Sequence, residues 1–348
     1  MFSSSLRTTL FAFATSAVAV SAAPGLSVKV AGPSNVAGVD NLKVKTTITN
    51  TGDEILKILN DPNSPLSKLP ANTFSITDAK GATPAFTGIK AKYAPAAAIA
   101  VGKDAITVLA PGQSVEVEHD LSEAYNFSKS GEGAYSVEAN NLFYIVDSNN
   151  NAIPIYAKGE AHQTKLTGKL AVVRPAELKR ATYNGCDAEQ QSLLTTAASS
   201  AQSYAAEALS YLTANTAATT RFTTWFGTYT DARHTTVQNH FTKISSNTLS
   251  SYKFDCTCTD SSTYAYVYPN SFGVVYLCGV FWKAPMTGTD SKAGTLIHES
   301  SHFTLNGGTR DFTYGQSSCK SLAISNPNNA ANNADSHEYF AENNPDLA

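Results

Sequence analysis

The chain has 348 residues, of which 42% are hydrophobic and 15% are charged, and its formal net charge is -3. This length allows about two domains of ~150 residues each. The composition is ordinary for a folded protein, so disorder is excluded as the main state. A nucleic-acid binder would need a basic excess that this chain lacks. We therefore expect a globular protein with no nucleic-acid partner.

The first 23 residues have the pattern of a secretory signal peptide. Arg7 supplies a positive start, residues 10–20 form an apolar run, and residues 21–23 form a small-residue cleavage zone. The apolar run is too short for a membrane anchor, and no other run approaches the ~20 apolar residues of a spanning helix. We predict a secreted, extracellular protein without a membrane partner.

Residues 24 to about 175 alternate apolar and polar side chains, as strands with one buried face do. The alternation is clearest in residues 26–30, 42–49 and 115–119, and turn-forming clusters of Asn, Asp, Gly and Pro separate such runs. We find no convincing helix here and no group of residues that assembles a site. This half therefore predicts an all-β sandwich.

A dibasic pair, Lys179-Arg180, lies between two halves of different composition. Such a pair at a linker is a candidate cut for a kexin-type processing enzyme. The predicted layout is a signal peptide (residues 1–23), a β-rich propeptide (residues 24–181) and a mature domain (residues 182–348).

The mature domain is predicted to be α+β and mainly helical, with a small antiparallel β-sheet. Helical spacing of apolar residues predicts helices over residues 189–213 and 221–244, and a further helix over residues 329–342. Residues 252–279 predict the sheet, with a turn near residue 269. The edge of this sheet is a candidate surface for an extended peptide to join as an extra strand.

All five cysteines lie after residue 185. In an oxidising compartment they are expected to form disulfides and leave one thiol over. Cys256 and Cys258 are too close in sequence to pair comfortably with each other, so each is expected to have a distant partner. A structural zinc site is the weaker alternative, because the chain has no C-x-x-C pair.

The stretch from Thr295 to Gly315 carries the strongest chemical signal. His298 and His302 are four residues apart, which places both imidazoles on one face of a helix, where they can bind one metal ion. Glu299 between them can reach a metal-bound water, as in zinc peptidases with the H-E-x-x-H motif. Asp290 or Thr289 is the expected helix cap, and residues 307–308, both glycine, are the expected helix end.

A catalytic zinc takes three protein ligands and keeps a position for water, so a third ligand is needed. The metzincin pattern is excluded, because Leu305 and Gly308 stand where it requires Gly and His. Two alternatives remain from the residues alone. Glu338 is available on a downstream helix, and Asp311 follows the double glycine.

The sequence H-E-S-S-H followed by G-G-T-R-D-F-T-Y-G resembles the deuterolysin (aspzincin) family, whose third zinc ligand is the Asp of a G-T-x-D-x-x-Y-G motif. Further stretches resemble the fungal peptidyl-Lys metalloendopeptidases within that family, namely T-Y-N-G-C from residue 182, T-W-F-G from 224, F-D-C-T-C from 254, F-W-K-A-P from 281 and N-A-D-S-H-E-Y-F from 333. The likeness covers essentially the whole mature half and implies a zincin-like domain.

The resemblance implies one zinc ion per chain, held by His298, His302 and Asp311. Glu299 would act as the general base that takes a proton from the zinc-bound water and passes it to the leaving amine. Tyr314, three residues after Asp311, would stabilise the developing oxyanion. The alternative for Tyr314 is an ordinary packed core residue. Thr309 would hold the loop that carries Asp311.

Substrate selection has its own candidates in Asp335 and Glu338, which are spaced i, i+3 on a predicted helix. Two carboxylates in one pocket favour a cationic side chain, and the resemblance implies cleavage on the amino side of lysine. A solvated acidic helix face is the alternative. Lysine over arginine does not follow from two carboxylates, because arginine pairs with them well.

The resemblance also implies two disulfides, Cys186–Cys256 and Cys258–Cys278, and leaves Cys319 as a buried free thiol. The expected partners are lysine-containing polypeptides and the chain's own propeptide, as an inhibitor and folding aid, and the protein is expected to be a monomer. Two other functions stay open. They are a deuterolysin-like peptidase of broader specificity and a non-catalytic secreted zinc-binding protein.

Overall fold

The computed structural model describes residues 25–172 and 182–347. The predicted signal peptide and the dibasic pair Lys179-Arg180 lie outside the described residues. The N-terminal half is rich in strands, and the C-terminal half packs helices around a small sheet, which confirms an α+β protein. None of the helices in the two described ranges is long and apolar enough to cross a membrane.

Short strands build the N-terminal half and alternate buried and exposed residues as predicted. Its strands are β1 Leu26–Ala31, β2 Asn35–Ala37, β3 Lys43–Asn50, β4 Leu56–Leu59, β5 Phe74–Asp78, β6 Ala85–Phe86, β7 Lys90–Tyr93, β8 Ile106–Leu109, β9 Ser114–Asp120, β10 Tyr125–Asn126, β11 Gly133–Ala139, β12 Leu142–Val146, β13 Ala152–Tyr156, β14 Lys158–Glu160 and β15 His162–Thr167. They form sheets in the orders β14-β1-β3-β9, β2-β15-β11-β5, β13-β12-β4-β8 and β10-β6. Val28 and Ile48 are cross-strand partners and belong to one buried core.

One α-helix interrupts the strands among residues 25–172, so the expectation of a half without helices is wrong at this point. Helix α1 (Pro95–Val101) directly follows β7. Pro95 has no backbone N–H to lose at the first helical position, and an alanine-rich run sustains the helix. Gly102, at φ 82°, ends it. A helix of seven residues is too short to give a clear helical period beside strands with alternating apolar and polar residues, so the sequence did not predict it.

The C-terminal half has eight helices within the described residues and four strands of its own. The helices are α2 Ala188–Ala214, α3 Thr220–Phe226, α4 Asp231–Ser246, α5 Gly279–Lys283, α6 Lys292–His302, α7 Gln316–Ser325, α8 Pro327–Ala330 and α9 Ala334–Glu342, and the strands are β16 Tyr183–Asn184, β17 Lys253–Asp255, β18 Thr263–Val267 and β19 Val274–Leu277. Helix α6 packs against both α2 and α9. Its side chains share one core with the sheet.

Two of the predicted helices are each divided in the structure. The run over residues 221–244 breaks at Gly227, which has a φ of 77° and lies so close to the Ala323 carbonyl that a Cβ would come within 2.1 Å of its oxygen. Only glycine fits such a position. The run over residues 329–342 is likewise divided into α8 and α9. Asp335 and Glu338 still share helix α9.

The sheet of the C-terminal half is mixed, so the prediction of a small antiparallel sheet is wrong. Its order is β16-β17-β19-β18-β7, with β17 parallel to both β16 and β19. Only the β18–β19 hairpin is antiparallel within this half. The hairpin returns β19 into the space between β17 and β18, which makes it parallel to β17. Strand β7 of the N-terminal half then extends the free edge, antiparallel to β18.

Arg221 of α3 connects this helix to α2 and α9 through hydrogen bonds. Its guanidinium donates to the Glu207 carboxylate at 2.8 and 2.7 Å and to the Phe340 carbonyl at 3.0 and 2.6 Å. We expect R221A to lower the free energy of unfolding by about 3 kcal/mol, because it removes several charge-assisted hydrogen bonds from a buried group. Urea unfolding of the full chain measures this. K243A, at an exposed lysine of α4, is the control and should change stability by less than about 0.5 kcal/mol.

Candidate active site

Helix α6 places the H-E-x-x-H motif in the interior. Ser291 caps it, with the side-chain oxygen accepting from Gly294 N at 2.9 Å, so neither Asp290 nor Thr289 has the predicted capping role. The helix ends at His302 rather than at the double glycine. Every residue of α6 is buried. A charged or polar face on such a helix must therefore find partners inside the protein.

His298, His302 and Asp311 converge on one point. The two Nε2 atoms are 3.1 Å apart, and each lies 3.2 Å from Asp311 Oδ1. Ligands at 2.0–2.1 Å from a tetrahedral zinc ion would be separated by about 3.3 Å. The three ligand atoms thus form a nearly equilateral triangle of the size that zinc requires.

The proton positions of the two imidazoles show that this triangle fits a cation. His302 Nδ1 lies 3.0 Å from the Thr309 carbonyl oxygen, which can only accept, so Nδ1 carries the proton. His298 Nδ1 lies 2.8 Å from Asp335 Oδ1 and 3.4 Å from Glu338 Oε2, and two carboxylate oxygens beside this nitrogen favour the same tautomer. Both Nε2 lone pairs therefore face Asp311 Oδ1, for which the described residues supply no hydrogen-bond donor. Two lone pairs and a carboxylate oxygen in contact repel one another, and a metal ion between them would remove this repulsion; this nitrogen–oxygen donor set suits zinc.

The loop after α6 delivers Asp311. Gly308 adopts a φ of 59° as the chain turns back along the helix, a conformation that favours glycine. Thr309 then anchors the returning strand, because its hydroxyl lies 2.6 Å from Ser301 Oγ. The Arg310 N–H donates to the Asn332 carbonyl at 2.8 Å, which ties the loop to the start of α9. The position predicted for Thr309, beside the loop that carries Asp311, matches this geometry.

Asp335 supports His298 from behind, so we expect D335N to weaken zinc binding about 10–100-fold. The substitution removes the carboxylate charge that fixes the Nδ1 proton and makes Nε2 a better donor. Competition with a chelator of known affinity measures the change, and D346N, at an exposed carboxylate, should leave zinc binding unchanged. Equal zinc affinity in D335N and the unchanged protein would remove this role.

Glu299 and Tyr314 contact the two ends of one peptide bond in strand β7. Glu299 Oε1 accepts from the Lys92 backbone N–H at 3.0 Å, and the Tyr314 hydroxyl donates to the Ala91 carbonyl at 2.9 Å. Burial raises the pKa of Glu299 to about 8. Burial also raises the pKa of Tyr314 well above its ordinary value, which keeps the hydroxyl protonated.

The side chain of Lys92 enters a closed pocket beside the histidines. Its Nζ lies 2.6 Å from Glu338 Oε2, 2.9 Å from Asp290 Oδ1 and 3.9 Å from Asp335 Oδ1. The Tyr264 ring lies 4.9 Å from Nζ, within the range of a cation–π interaction. Burial by itself would lower the pKa of Lys92, but the three carboxylates outweigh it and raise this pKa well above the ordinary value. The ammonium is therefore charged inside the protein.

This arrangement separates the two carboxylates that the sequence paired. Glu338 contacts the ammonium directly, whereas Asp335 lies 2.8 Å from His298 Nδ1 and accepts from the Gly315 N–H at 2.7 Å. Glu338 Oε2 lies 3.4 Å from His298 Nδ1, the nitrogen that faces away from the triangle. Glu338 therefore stands outside the group of His298, His302 and Asp311, although with His298 and Asp335 it forms a second group of possible metal ligands. The Lys92 ammonium lies beside this second group, 2.6 Å from Glu338 and 3.9 Å from Asp335.

Asp290 was missed by the sequence reasoning as a pocket residue. It adopts a φ of 53°, and its carboxylate accepts from the Tyr339 hydroxyl at 2.8 Å while it contacts Lys92. The charge of Lys92 outweighs the effect of burial and lowers the pKa of Asp290, so it stays ionised. Asp290 directly precedes the helix cap Ser291, and an acidic residue at this position was the available sign of a pocket residue. The same position also suits a helix cap, which is the role that the sequence suggested.

The cysteines pair as Cys186–Cys256 and Cys258–Cys278. The first disulfide joins the start of the C-terminal half to the end of β17, and the second joins the following loop to the end of β19. Cys319 is buried and has no disulfide partner in the described part of the chain. Both disulfides hold the sheet whose edge receives β7.

Comparison with known proteins identifies the family. The aspzincin family profile, described as lysine-specific metallo-endopeptidase, matches residues 211–342. A peptidyl-Lys metalloendopeptidase of Grifola frondosa is 60% identical over 99% of both chains, and one of Armillaria mellea is 54% identical over the same shares. An extracellular protease of Aeromonas hydrophila is 34% identical over 88% of this chain and 89% of its own. The chain belongs to the aspzincin family of metalloendopeptidases, which confirms the resemblance.

Proposed function

We propose that this metalloendopeptidase is secreted and hydrolyses peptide bonds on the amino side of lysine, with one zinc ion held by His298, His302 and Asp311. One observation carries the proposal. A lysine ammonium is buried against Glu338 and Asp290 while the peptide bond on the amino side of the same lysine contacts Glu299 and Tyr314. The names of the fungal relatives and of the extracellular protease point the same way.

The residues around that bond have distinct roles in hydrolysis. When bound, zinc supplies a Lewis acid that polarises the scissile carbonyl and lowers the pKa of a water. Glu299 accepts a proton from the attacking water and delivers it to the leaving nitrogen, which its contact with the Lys92 N–H places within reach. Tyr314 donates a hydrogen bond to the carbonyl oxygen as negative charge develops there. His302 and His298 are held in one tautomer by Thr309 and Asp335.

The pocket favours a lysine side chain because of its depth and its charge. Asp290 and Glu338 meet the ammonium at the end of a fully buried side chain. A neutral side chain would leave the buried Glu338 and the half-buried Asp290 without a counter-charge, which is costly chiefly for Glu338. A guanidinium is larger and planar, and the pocket is closed by the Tyr264 and Tyr339 rings beside the ammonium. We therefore propose that lysine is preferred over arginine.

We further propose that residues 24–181 are a prosegment built as a β-sandwich, which assists folding and inhibits the enzyme until processing at Lys179-Arg180. The core of this half, with members such as Val28, Val137 and Phe143, draws on all three of its four-stranded sheets. Inhibition is supported by β7, which occupies the sheet edge beside the zinc ligands. The processed enzyme is proposed to act as a monomer.

Matched peptides test this function. We would assay the processed enzyme on peptides that differ only in the residue after the scissile bond, which is lysine, arginine or norleucine. Lysine should be cut at least about 100-fold faster than norleucine, because norleucine has the length without the charge. A chelator should abolish cutting and added zinc should restore it. Equal rates would leave a broader deuterolysin-like peptidase, and the absence of chelator-sensitive cutting would leave a non-catalytic zinc-binding protein.

A further inference from the structure

Strand β7 lies in the cleft as an extended peptide. It pairs antiparallel with the edge strand β18, with Lys92 opposite Ala265 and Ala91 opposite Tyr266. The register is interrupted between Thr263 and Ala265, where Lys92 turns into its pocket. Addition of a strand to a sheet edge is a common way for proteins to bind peptides. The N-terminal half therefore binds the cleft in the manner of a peptide substrate.

The Ala91–Lys92 peptide bond makes the contacts that the proposed reaction requires. Its carbonyl accepts from Tyr314 at 2.9 Å, and its N–H donates to Glu299 at 3.0 Å. The lysine that follows the bond fills the acidic pocket, with Nζ 2.6 Å from Glu338. An inhibitor that only blocks the cleft by its bulk has no need to present a peptide bond in this way. The bond lies where a scissile bond would lie.

The residues on both sides hold β7 in a single register. On one side, Lys90 Nζ donates to the carbonyl of Gly308 at 3.3 Å and also to the carbonyl of Thr309. On the other side, the buried Tyr93 packs edge-on against Tyr314, with ring centroids 6.0 Å apart. A shift of the strand by two residues would place Lys90 in the pocket but would break both contacts. The structure thus selects one bond.

A cavity approaches this bond while β7 is bound. It has a volume of about 1270 Å³, lies between the two halves and is lined by Lys90, Asp311 and Tyr314, among others. It follows the part of β7 that precedes Ala91. The cavity therefore reaches one of the proposed zinc ligands, Asp311, even when the N-terminal half covers the cleft.

We propose that Ala91–Lys92 is a self-cleavage site, at which the enzyme cuts its own prosegment as a substrate. This inference rests on the proposed lysine-directed activity. Water adds across the C–N bond, so the Ala91 carbonyl carbon gains the hydroxyl and becomes a carboxylate. Glu299 transfers the proton to the Lys92 nitrogen, which leaves as a new amino terminus.

The cut divides the strand that holds the prosegment on the enzyme. Residues 90–91 and 92–93 of β7 then belong to separate chain segments. Loss of the continuous strand weakens the hold of the prosegment on the cleft, so the cut prepares the precursor for release of the prosegment.

The test uses the full chain, purified with a chelator and then loaded with zinc. Mass spectrometry and amino-terminal sequencing should find a cut between residues 91 and 92 in the unchanged chain, and no cut at this bond in E299Q or K92Q. K80Q, at an exposed lysine of the same half, should be cut at Lys92 like the unchanged chain. A zinc-loaded chain that cuts an added lysine peptide but keeps Ala91–Lys92 intact would overturn the self-cleavage proposal alone. A chain that cuts neither contradicts the proposed function.

A second measurement needs no metal and no turnover. Hydrogen exchange of the chelator-treated full chain should show the amides of β7 and β18 exchanging at least about 100-fold faster in K92Q than in K80Q, because the ammonium anchor is lost. K92R, which keeps a cation, should exchange at an intermediate rate. Unchanged protection of β3 and β11 shows that the half stays folded. Equal protection of β7 in K92Q and K80Q would contradict the pose on which the proposal depends.

Discussion

The E299Q variant is expected to lose about 10²–10⁴-fold in kcat on a lysine peptide, the range typical for loss of a general acid–base group. Glutamine has the shape of Glu299 but accepts no proton from water. It also still accepts a hydrogen bond from the nitrogen that Lys92 occupies in the structure. The KM should therefore change little, and the loss should appear in kcat.

The metal content separates this outcome from a damaged site. Glu299 is outside the triangle of His298, His302 and Asp311, so E299Q should still bind one zinc ion per chain with unchanged affinity. H302A is the matched variant that should lose the metal as well as turnover. If E299Q lost its zinc along with its activity, Glu299 would be a residue that maintains the zinc site, and this result would contradict its role as the general base.

The E338Q variant is expected to lose about 100-fold in kcat/KM on a lysine peptide, because loss of one partner from a buried charge pair costs about 2–5 kcal/mol. Glu338 makes the shortest contact with the Lys92 ammonium, at 2.6 Å. Asp290 keeps its own contact in this variant, so the loss should lie toward the lower end of that range. Steady-state kinetics on matched peptides measures it.

A norleucine peptide supplies the control for E338Q. It fills the same pocket without a charge, so removal of the carboxylate should leave its hydrolysis unchanged or raise it, since one buried unpaired charge is gone. Zinc content should stay at one ion per chain. An equal loss on both peptides would show that Glu338 supports the metal site rather than lysine selection.

The motif on α6 could be predicted because its chemistry is local. His298 and His302 are one helical turn apart in any helix, so four residues of sequence fix their relation. Asp311 was not decided by spacing, since Glu338 remained possible until the resemblance favoured Asp311. Spacing could not decide because Asp311 is positioned by the loop after α6. The chain turns back at Gly308, and the contact of Thr309 with Ser301 fixes the loop, and a local sequence pattern does not contain such a tertiary contact.

The pocket shows where sequence reasoning ended. Asp335 and Glu338 share a face of α9 as expected, but their partners come from other elements, which divides their contacts between His298 and the ammonium. Asp290 reaches the same ammonium from a turn residue with φ 53°, and no periodic pattern describes such a residue. Both features, the divided contacts of Asp335 and Glu338 and the contact of Asp290 with the ammonium, follow from interatomic distances in the folded protein.

The position of strand β7 in the C-terminal sheet was not predicted from the sequence. The edge of the C-terminal sheet was expected to receive an extended peptide, and the structure fills it with four residues from the chain's own N-terminal half. Lys92 is one of many lysines in that half, and 207 residues separate it from Glu299. Only the assembled tertiary structure selects it. The mixed order of the sheet escaped prediction for the same reason, because strand order depends on long-range pairing.

Digestion of an unbiased peptide mixture by the processed enzyme tests the central claim most directly. The residue on the carboxyl side of each new cut is identified by mass spectrometry, with and without a chelator. We predict that lysine follows nearly every cut, that arginine follows few, and that the chelator abolishes all of them. Cuts spread evenly over residue types, or cuts that persist without metal, would contradict a lysine pocket beside a zinc site.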